Sequence, residues 1–291
     1  MKRRLLLALE VLAVVYSQTG QTARAVAHFL EPFAASGAHI VHAPLMPIEP
    51  PPFPWSFFGF FGMMAHAVRG PWPQLAPLEF AVDRPYDLVV LAFPPWFLHP
   101  APAMNAFLVS TAASVLAGKP VVLIATARDM WASALADVTD QVHARGGRVV
   151  AEVVVSDPSP RLVSVVTTPR WLLTGKRDRL LGLLPPAGIP GASYGPFTAA
   201  GQRVLAAASR GFRVSGEPLR ALPDPANAFP ERVGRASFRW WANIIERSAR
   251  HRSLQRLVIG AFFLYLVIII PPLFVVGRGL ALSLVGKAEN A

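Results

Sequence analysis

The chain contains no cysteine. Its absence excludes disulfides, thiolate zinc sites, cysteine-held iron–sulfur clusters and a thiol nucleophile. Histidines are few and scattered. The nearest pair, His39 and His42, falls on opposite faces of a strand, so no metal site is expected. The chain also lacks a Gly-x-Gly-x-x-Gly fingerprint and a Walker A loop, which argues against a dedicated nicotinamide or ATP domain. Acidic residues are scarce, 17 against 28 Lys and Arg, giving a net charge of +11. That charge comes with no recognition helix, RNA-binding aromatic signature or finger spacing, so nucleic acid is not the expected partner.

The chain is instead rich in apolar residues, 53% of 291. Much of its basic charge gathers late, at Arg232, Arg235, Arg239, Arg247, Arg250, Arg252 and Arg256. Immediately afterwards, Leu257 to Val276 carries no charged side chain and is long enough to cross a bilayer. Arginines flanking such a span fit the positive-inside rule and an anionic leaflet. The expectation is a single C-terminal anchor (about residues 254–277) holding the rest of the chain at the cytoplasmic face of the cytoplasmic membrane. Pro271-Pro272 breaks or kinks that stretch, so a re-entrant hairpin continued by Leu280 to Val285 stays open. Ser237 to Arg252 reads as an amphipathic helix in the headgroup plane, with Phe238, Trp240, Trp241, Ile244 and Ile245 set against arginines. Met1 to Leu7 imitates a secretory signal, but Glu10 interrupts it, and a buried first strand is the expected role.

Between these ends, apolar strands alternate with helices. Strands are predicted at Val11–Tyr16, His39–Ala43, Tyr86–Ala92, Pro120–Thr126 and Arg148–Val155. Helices are predicted through Leu30, over Ala103–Leu116, over Trp131–Ala144 and over Phe197–Ser209. Such alternation argues for an α/β fold, a doubly wound five-stranded parallel sheet covered on both faces, in the order 2-1-3-4-5. The predicted sheet domain is residues 1–211, with an insertion at 45–82 and an unexplained segment at 156–190, then a linker at 212–235 and the helical tail at 236–291. The proline- and aromatic-rich insertion is expected either to pack in place of the second helix or to form an apolar lip at the membrane interface.

The chemistry concentrates at the carboxyl ends of the first, third and fourth strands. Ser17-Gln18-Thr19-Gly20-Gln21-Thr22 sets three hydroxyls, a glycine and a run of backbone N–H groups where a helix begins. Unpaired donors and the positive dipole end of a helix suit a phosphate monoester there. Pro94-Pro95-Trp96-Phe97 follows the third strand and Thr126-Ala127-Arg128 ends the fourth, offering aromatic and backbone groups to a flat ring. Two residues on these loops are candidates for moving protons, His99 and Asp129. Each has a plainer alternative: His99 caps the proline-started helix, and Asp129 caps the next helix or pairs with Arg128.

The loop at Ser17–Thr22 resembles the phosphate loop of flavodoxins, and the two later loops are similar to their ring-contacting loops, which implies an FMN cofactor. More narrowly, six stretches resemble a flavodoxin-like family encoded with dialkylresorcinol and aryl-polyene type lipid pathways, whose members are often labelled dialkylresorcinol condensing enzymes. They are Tyr-Ser-Gln-Thr-Gly-Gln at 16–21, Pro-Phe-Pro-Trp at 52–55, Trp-Phe-Leu at 96–98, Met130-Trp131, Thr-Thr-Pro-Arg-Trp-Leu-Leu-Thr-Gly at 167–175 and Pro-Pro-Ala-Gly at 185–188. The resemblance implies an oxidoreductase that aromatises a 2,5-dialkylcyclohexane-1,3-dione to the resorcinol, while a separate ketosynthase forms the carbon–carbon bonds. Condensation by a thiolase-type route needs a cysteine, which this chain lacks. Where the family is expected to carry Asn, this chain has Asp129.

The partners expected on this reading are an apolar small molecule, membrane lipids, the ketosynthase and an acidic acyl carrier protein drawn by the basic face. Two other readings stay open: a membrane-bound flavodoxin-like quinone reductase or electron carrier, and a flavin-free scaffold tethered to the membrane.

Overall fold

The computed structural model describes residues 9–212 and 219–288, so the Met1–Leu7 opening lies outside the described residues. Five parallel strands, β1 (Glu10–Val15), β2 (His39–Pro44), β3 (Leu88–Phe93), β4 (Pro120–Ala127) and β5 (Arg148–Ser156), form one sheet in the order β2-β1-β3-β4-β5. This is the flavodoxin-type doubly wound order, with its switch point between β1 and β3. The register pairs Val11 with both Ile40 and Leu88, and Val15 with both Pro44 and Ala92, so β1 and β3 end side by side.

The sequence builds this sheet because its central strands are unbroken apolar runs. β3 is buried along its whole length, as is β4 after its first residue. Alternate side chains go to opposite faces. On one face Leu12, Val14, Val89 and Leu91 meet Phe107, Val138 and their neighbours from α3 (Pro102–Val109) and α4 (Ala132–Ala144). On the other, Val11, Ala13, Val90 and Ile124 meet Phe29, Phe33 and Phe197 from α1 (Gln21–Ala35) and α6 (Gly195–Ala206). The α1–α6 crossing is tight because residue 201 is glycine: a Cβ there would lie 2.1 Å from the Phe29 carbonyl oxygen.

Several expectations are corrected. The helix predicted to Leu116 ends at Val109 and tightens into a 3₁₀ turn over Thr111–Leu116. The 45–82 insertion contains a helix of its own, α2 (Phe57–Arg69), started by Ser56, whose Oγ accepts the Gly59 N–H at 3.1 Å. Prolines just before it and glycines at 59 and 62 within it are loop signals that mask its helical spacing. The unexplained 156–190 segment supplies α5 (Arg161–Thr174).

The tail is packed onto the sheet domain. α7 (Ala228–Ser248) begins inside the stretch predicted as linker. Its apolar residues Phe238, Ala242 and Ile245 are buried with Phe61 and Met64 of α2 and with Ile259 and Phe262 of α8 (Arg252–Ala288). The side predicted to lie among lipid headgroups thus has a protein partner, because α2 offers the apolar surface that an interfacial helix would otherwise seek from lipid. Trp240 remains 58% exposed. α8 continues through Pro271-Pro272, so no hairpin turn interrupts it before Ala288. Among the described residues it is the one helix long and apolar enough to cross a membrane, over Arg252–Ile269, and only 17% of that stretch is buried.

Candidate functional site

The carboxyl ends of β1, β3 and β4 converge on a cavity of about 690 Å³. From the first loop, Gln18, Thr19, Gln21 and Thr22 line it; from the second, Pro94, Pro95, Trp96 and Phe97; from the third, Thr126, Ala127, Arg128 and Asp129. The loops predicted from sequence are therefore walls of a single space.

Its polar end is the start of α1. Gly20 is the N-cap, in left-handed backbone at φ 81°, and Ser17 Oγ accepts the Ala23 N–H at 3.1 Å. Ser17 and Gly20 thus shape the turn without lining the cavity, and the first-turn N–H groups of Gln21 and Thr22 have no intrahelical acceptor. Three of the neighbouring side chains are fixed. Thr22 Oγ1 shares a 2.7 Å hydrogen bond with Thr126 Oγ1, locking the first loop to the third. Gln18 Oε1 accepts from Trp55 Nε1 at 3.3 Å, and Gln21 Oε1 accepts the Ile189 N–H at 2.6 Å. Beside them Asp157 takes the N–H groups of Gly188 and Ser159, both at 2.9 Å. The loop thus presents backbone donors with no basic side chain of its own, a cradle for a dianion held by amide dipoles.

Next to the cradle the walls turn aromatic. Trp96 stands edge-on to Tyr16 at 5.8 Å and to Trp55 at 5.7 Å. Tyr16 is buried, and burial pushes its hydroxyl far above the usual phenol range, so it stays neutral. Trp96 is held by a short antiparallel hairpin, Pro95-Trp96 against His99-Pro100, whose turn residues Phe97 and Leu98 have φ of 48° and 64°. Left-handed backbone at two bulky residues is strained, and such strain persists where it aims side chains at a site. Here it turns Phe97 and Leu98 into the cavity wall.

His99 is a correction. It lies outside the cavity wall, buried on the far side of this turn, and its Nδ1 donates to the Phe97 carbonyl oxygen at 2.8 Å. Burial lowers its pKa from the ordinary value, outweighing the bond to the Phe97 carbonyl, which by itself favours the protonated ring. It fastens the strained turn. Asp129 does line the cavity, but it is engaged: Oδ1 accepts from Asn227 Nδ2 at 3.0 Å and Oδ2 lies 3.2 Å from Arg161 Nε. Arg161 also pairs with Asp224, so Asp129 ties the start of α5 to the turn that leads into α7. The alternative pairing with Arg128 gives way to this one. Arg128 instead donates to Ser164 Oγ at 3.3 Å and adds one guanidinium to the wall.

Sequence reasoning missed the far side of the cavity. Trp55, Phe57, Phe60 and Phe61 close it from the insertion, and Asp157, Thr168 and Trp171 from the segment after β5. Thr168 Oγ1 is buried there without a hydrogen-bond partner among the described residues, a polar group left for an occupant to satisfy. The signal available was positional: Asp157 directly follows β5 at the same sheet edge as the other loops.

No family model matches the chain, and no curated protein matches it. Among solved structures it is similar to a flavoprotein in complex with FMN from Lactobacillus acidophilus (15% identity, 50% of this chain and 93% of that one, TM-score 0.42). It is likewise similar to the two-electron reduced flavodoxin of Megasphaera elsdenii (14% identity, 66% and 98%, TM-score 0.37). A third likeness is to the rubredoxin oxygen:oxidoreductase of Desulfovibrio gigas (10% identity, 69% and 36%, TM-score 0.40).

Proposed function

We propose that this chain is an FMN-dependent oxidoreductase, tethered to the membrane by α8, that aromatises a dialkylcyclohexanedione to a dialkylresorcinol. One observation carries the reading: an amide-lined anion cradle and an aromatic slot are adjoining walls of one cavity, bolted together by the Thr22–Thr126 bond. The residues present fit FMN. Backbone N–H groups of Gln21 and Thr22 would hold its phosphate, Trp96 and Phe97 would flank its ring, and Ala127 and Thr168 offer polar groups beside it.

When bound, FMN supplies a two-electron acceptor, so that the dione loses a hydride and a proton on becoming a resorcinol. The chain's own contribution is positioning and dryness. Trp55, Phe60 and Phe61 exclude water from the slot, and the carbon between two carbonyls is acidic enough to need little help from a base. Asp129 is the carboxylate proposed to receive that proton, with Arg161 and Asn227 fixing its orientation. The apolar walls suit the alkyl chains of such a substrate, and the absence of cysteine supports assigning condensation to a different protein. A ketosynthase and an acyl carrier protein are the proposed partners.

The test is to supply FMN to the purified full-length protein and record its absorbance. Alkylated cyclohexane-1,3-diones and quinones are then assayed side by side. A bound yellow chromophore with resorcinol formed from the dione is expected. Turnover of quinones alone would reassign the chain as a quinone reductase, and absence of flavin binding would leave the scaffold reading.

A further inference from the structure

The same cavity reaches the membrane helix. Phe263, Leu266 and Val267 of α8 are part of its wall. Phe57 and Phe61 of α2 clamp Phe263 at 5.1 Å each, so α8 is fixed to the site as well as to the rest of the tail. An anchor joined through a flexible linker would make no such contacts.

The exposed side chains of the cavity lining are apolar. The lining includes three well-exposed large side chains, all valines: Val165 (38%) and Val166 (49%) on α5, and Val267 (53%) on α8. Val267 stands midway between Arg256 and Arg278, the charges that bracket the uncharged stretch of the helix. Eleven residues of helix on either side is about 16 Å, roughly half the thickness of a bilayer's hydrocarbon core. Leu264 and Ile268, beside Val267, are also exposed, at 57% and 63%. Near the other end of the apolar surface, the Arg256 guanidinium sits over the Phe58 ring at 5.5 Å, where a basic group would meet anionic headgroups.

From this continuity we infer that the cavity opens sideways into the acyl-chain region of the bilayer, and that α8 is a wall of its entrance. The occupant is an alkyl-bearing small molecule dissolved in the leaflet. It passes between α5 and α8 over the valine rim and comes to rest against Trp96 and Trp55. An opening to water would favour a polar rim, because a dispersed apolar patch joined to a deep apolar cavity is costly to hydrate. The inference rests on the proposed function for the placement of α8 in the bilayer and for the identity of the occupant, and the labelling of α8 tests the first independently of the flavin spectrum.

The experiment uses the full chain in vesicles containing phosphatidylglycerol and a long-chain alkyl diazirine, irradiated and mapped by peptide mass. FMN absorbance is recorded on the same sample. Adducts are expected on the outward residues Leu264 and Ile268 and also on Trp55, which is only 4% exposed and lies inside the cavity. Val267→Trp and, independently, Val166→Trp narrow the rim from exposed positions and should diminish the Trp55 adduct severalfold while Leu264 and Ile268 stay labelled. Adducts confined to Leu264 and Ile268, or no adducts at all, would overturn the inference. Trp55 labelling without a flavin spectrum would uphold the lateral opening and sink the redox reading; flavin binding with outer adducts alone would do the reverse.

Discussion

The hydroxyls of Thr22 and Thr126 lie 2.7 Å apart, both residues buried, at the ends of two loops separated by 104 positions in sequence. One is in the first turn of α1 and the other near the end of β4, so the contact sets the width of the cavity between the start of α1 and the loop that carries Arg128. Thr22→Val removes one partner and leaves the other hydroxyl buried and unpaired, at a cost of about 1–3 kcal/mol. Replacing both by valine removes the orphan as well, so the double variant is expected to be less destabilised than the sum of the singles. Denaturant midpoints of the four proteins test this, with FMN affinity as a second readout of cavity width.

A glycine contrast tests the packing of α1 on α6. Gly201→Ala would place a methyl 2.1 Å from the Phe29 carbonyl oxygen, backbone that cannot swing aside, and the expected loss is about 1–3 kcal/mol. At the start of the same helix a Cβ on Gly195 would meet nothing within 4 Å, and its backbone is already helical. Gly195→Ala is therefore expected to stabilise by about 0.4–1 kcal/mol. Thermal midpoints moving in opposite directions are the predicted outcome.

The sheet was legible because β3 and β4 are apolar runs too short for helices and flanked by turn signals, and because Ser17–Thr22 marks the β1–α1 junction without ambiguity. The three loops followed from strand order alone. What sequence could not show was the far side of the cavity. α2 buries one face, Phe61, Met64 and Ala65, but it follows the proline run at 50–54 and carries glycines at 59 and 62, so the stretch reads as loop. The apolar residues of α7 were visible, but whether Phe238 meets lipid or Phe97 (ring centroids 6.1 Å apart) depends on a partner that only the fold supplies. His99 was misplaced for a related reason. Its neighbours in sequence do line the cavity, and only the two left-handed residues Phe97 and Leu98 turn the chain so that it does not.

Trp96 is expected to bear directly on flavin affinity. Trp96→Ala removes one aromatic wall and the edge contacts to Tyr16 and Trp55. A ring contact is worth about 0.5–1.5 kcal/mol beyond buried area, so the Kd should rise roughly 2- to 12-fold or more. Trp96→Phe keeps a face and should recover part of the loss. Titration of the apoprotein with FMN, followed by tryptophan and flavin fluorescence, provides the measurement.

Acid should loosen the hairpin. His99 is neutral in the fold, with its pKa held below the ordinary value by burial, whereas the unfolded chain binds a proton near pH 6.5. The unfolded state thus takes up more protons as the medium is acidified. The stability tied to His99 is fully present above pH 6.5 and is lost as pH falls through the lower, folded-state pKa. His99→Asn places an amide Nδ2 where the ring Nδ1 stood, able to donate to the Phe97 carbonyl, but does not titrate. It is expected to flatten this part of the pH–stability curve, read as the denaturant midpoint between pH 7 and pH 5.

The strained turn separates stability from function. Phe97 and Leu98 hold φ of 48° and 64°, the geometry of a two-residue hairpin that Asn-Gly adopts with far less strain. Replacing Phe97-Leu98 by Asn-Gly relieves backbone strain of the order of 1–3 kcal/mol per residue. It also removes the Phe97 contacts with Phe60 at 5.4 Å and Phe238 at 6.1 Å, and buried Leu98 loses its place beside α7, where a Cβ on Gly234 would come within 2.8 Å of it. The hairpin should become locally more protected against amide exchange at Trp96 and His99, while affinity for flavin and for apolar ligands falls. A turn selected for stability alone would show neither loss. Hydrogen exchange and FMN titration on the same variant therefore distinguish a turn bent to present side chains from one that is merely tolerated.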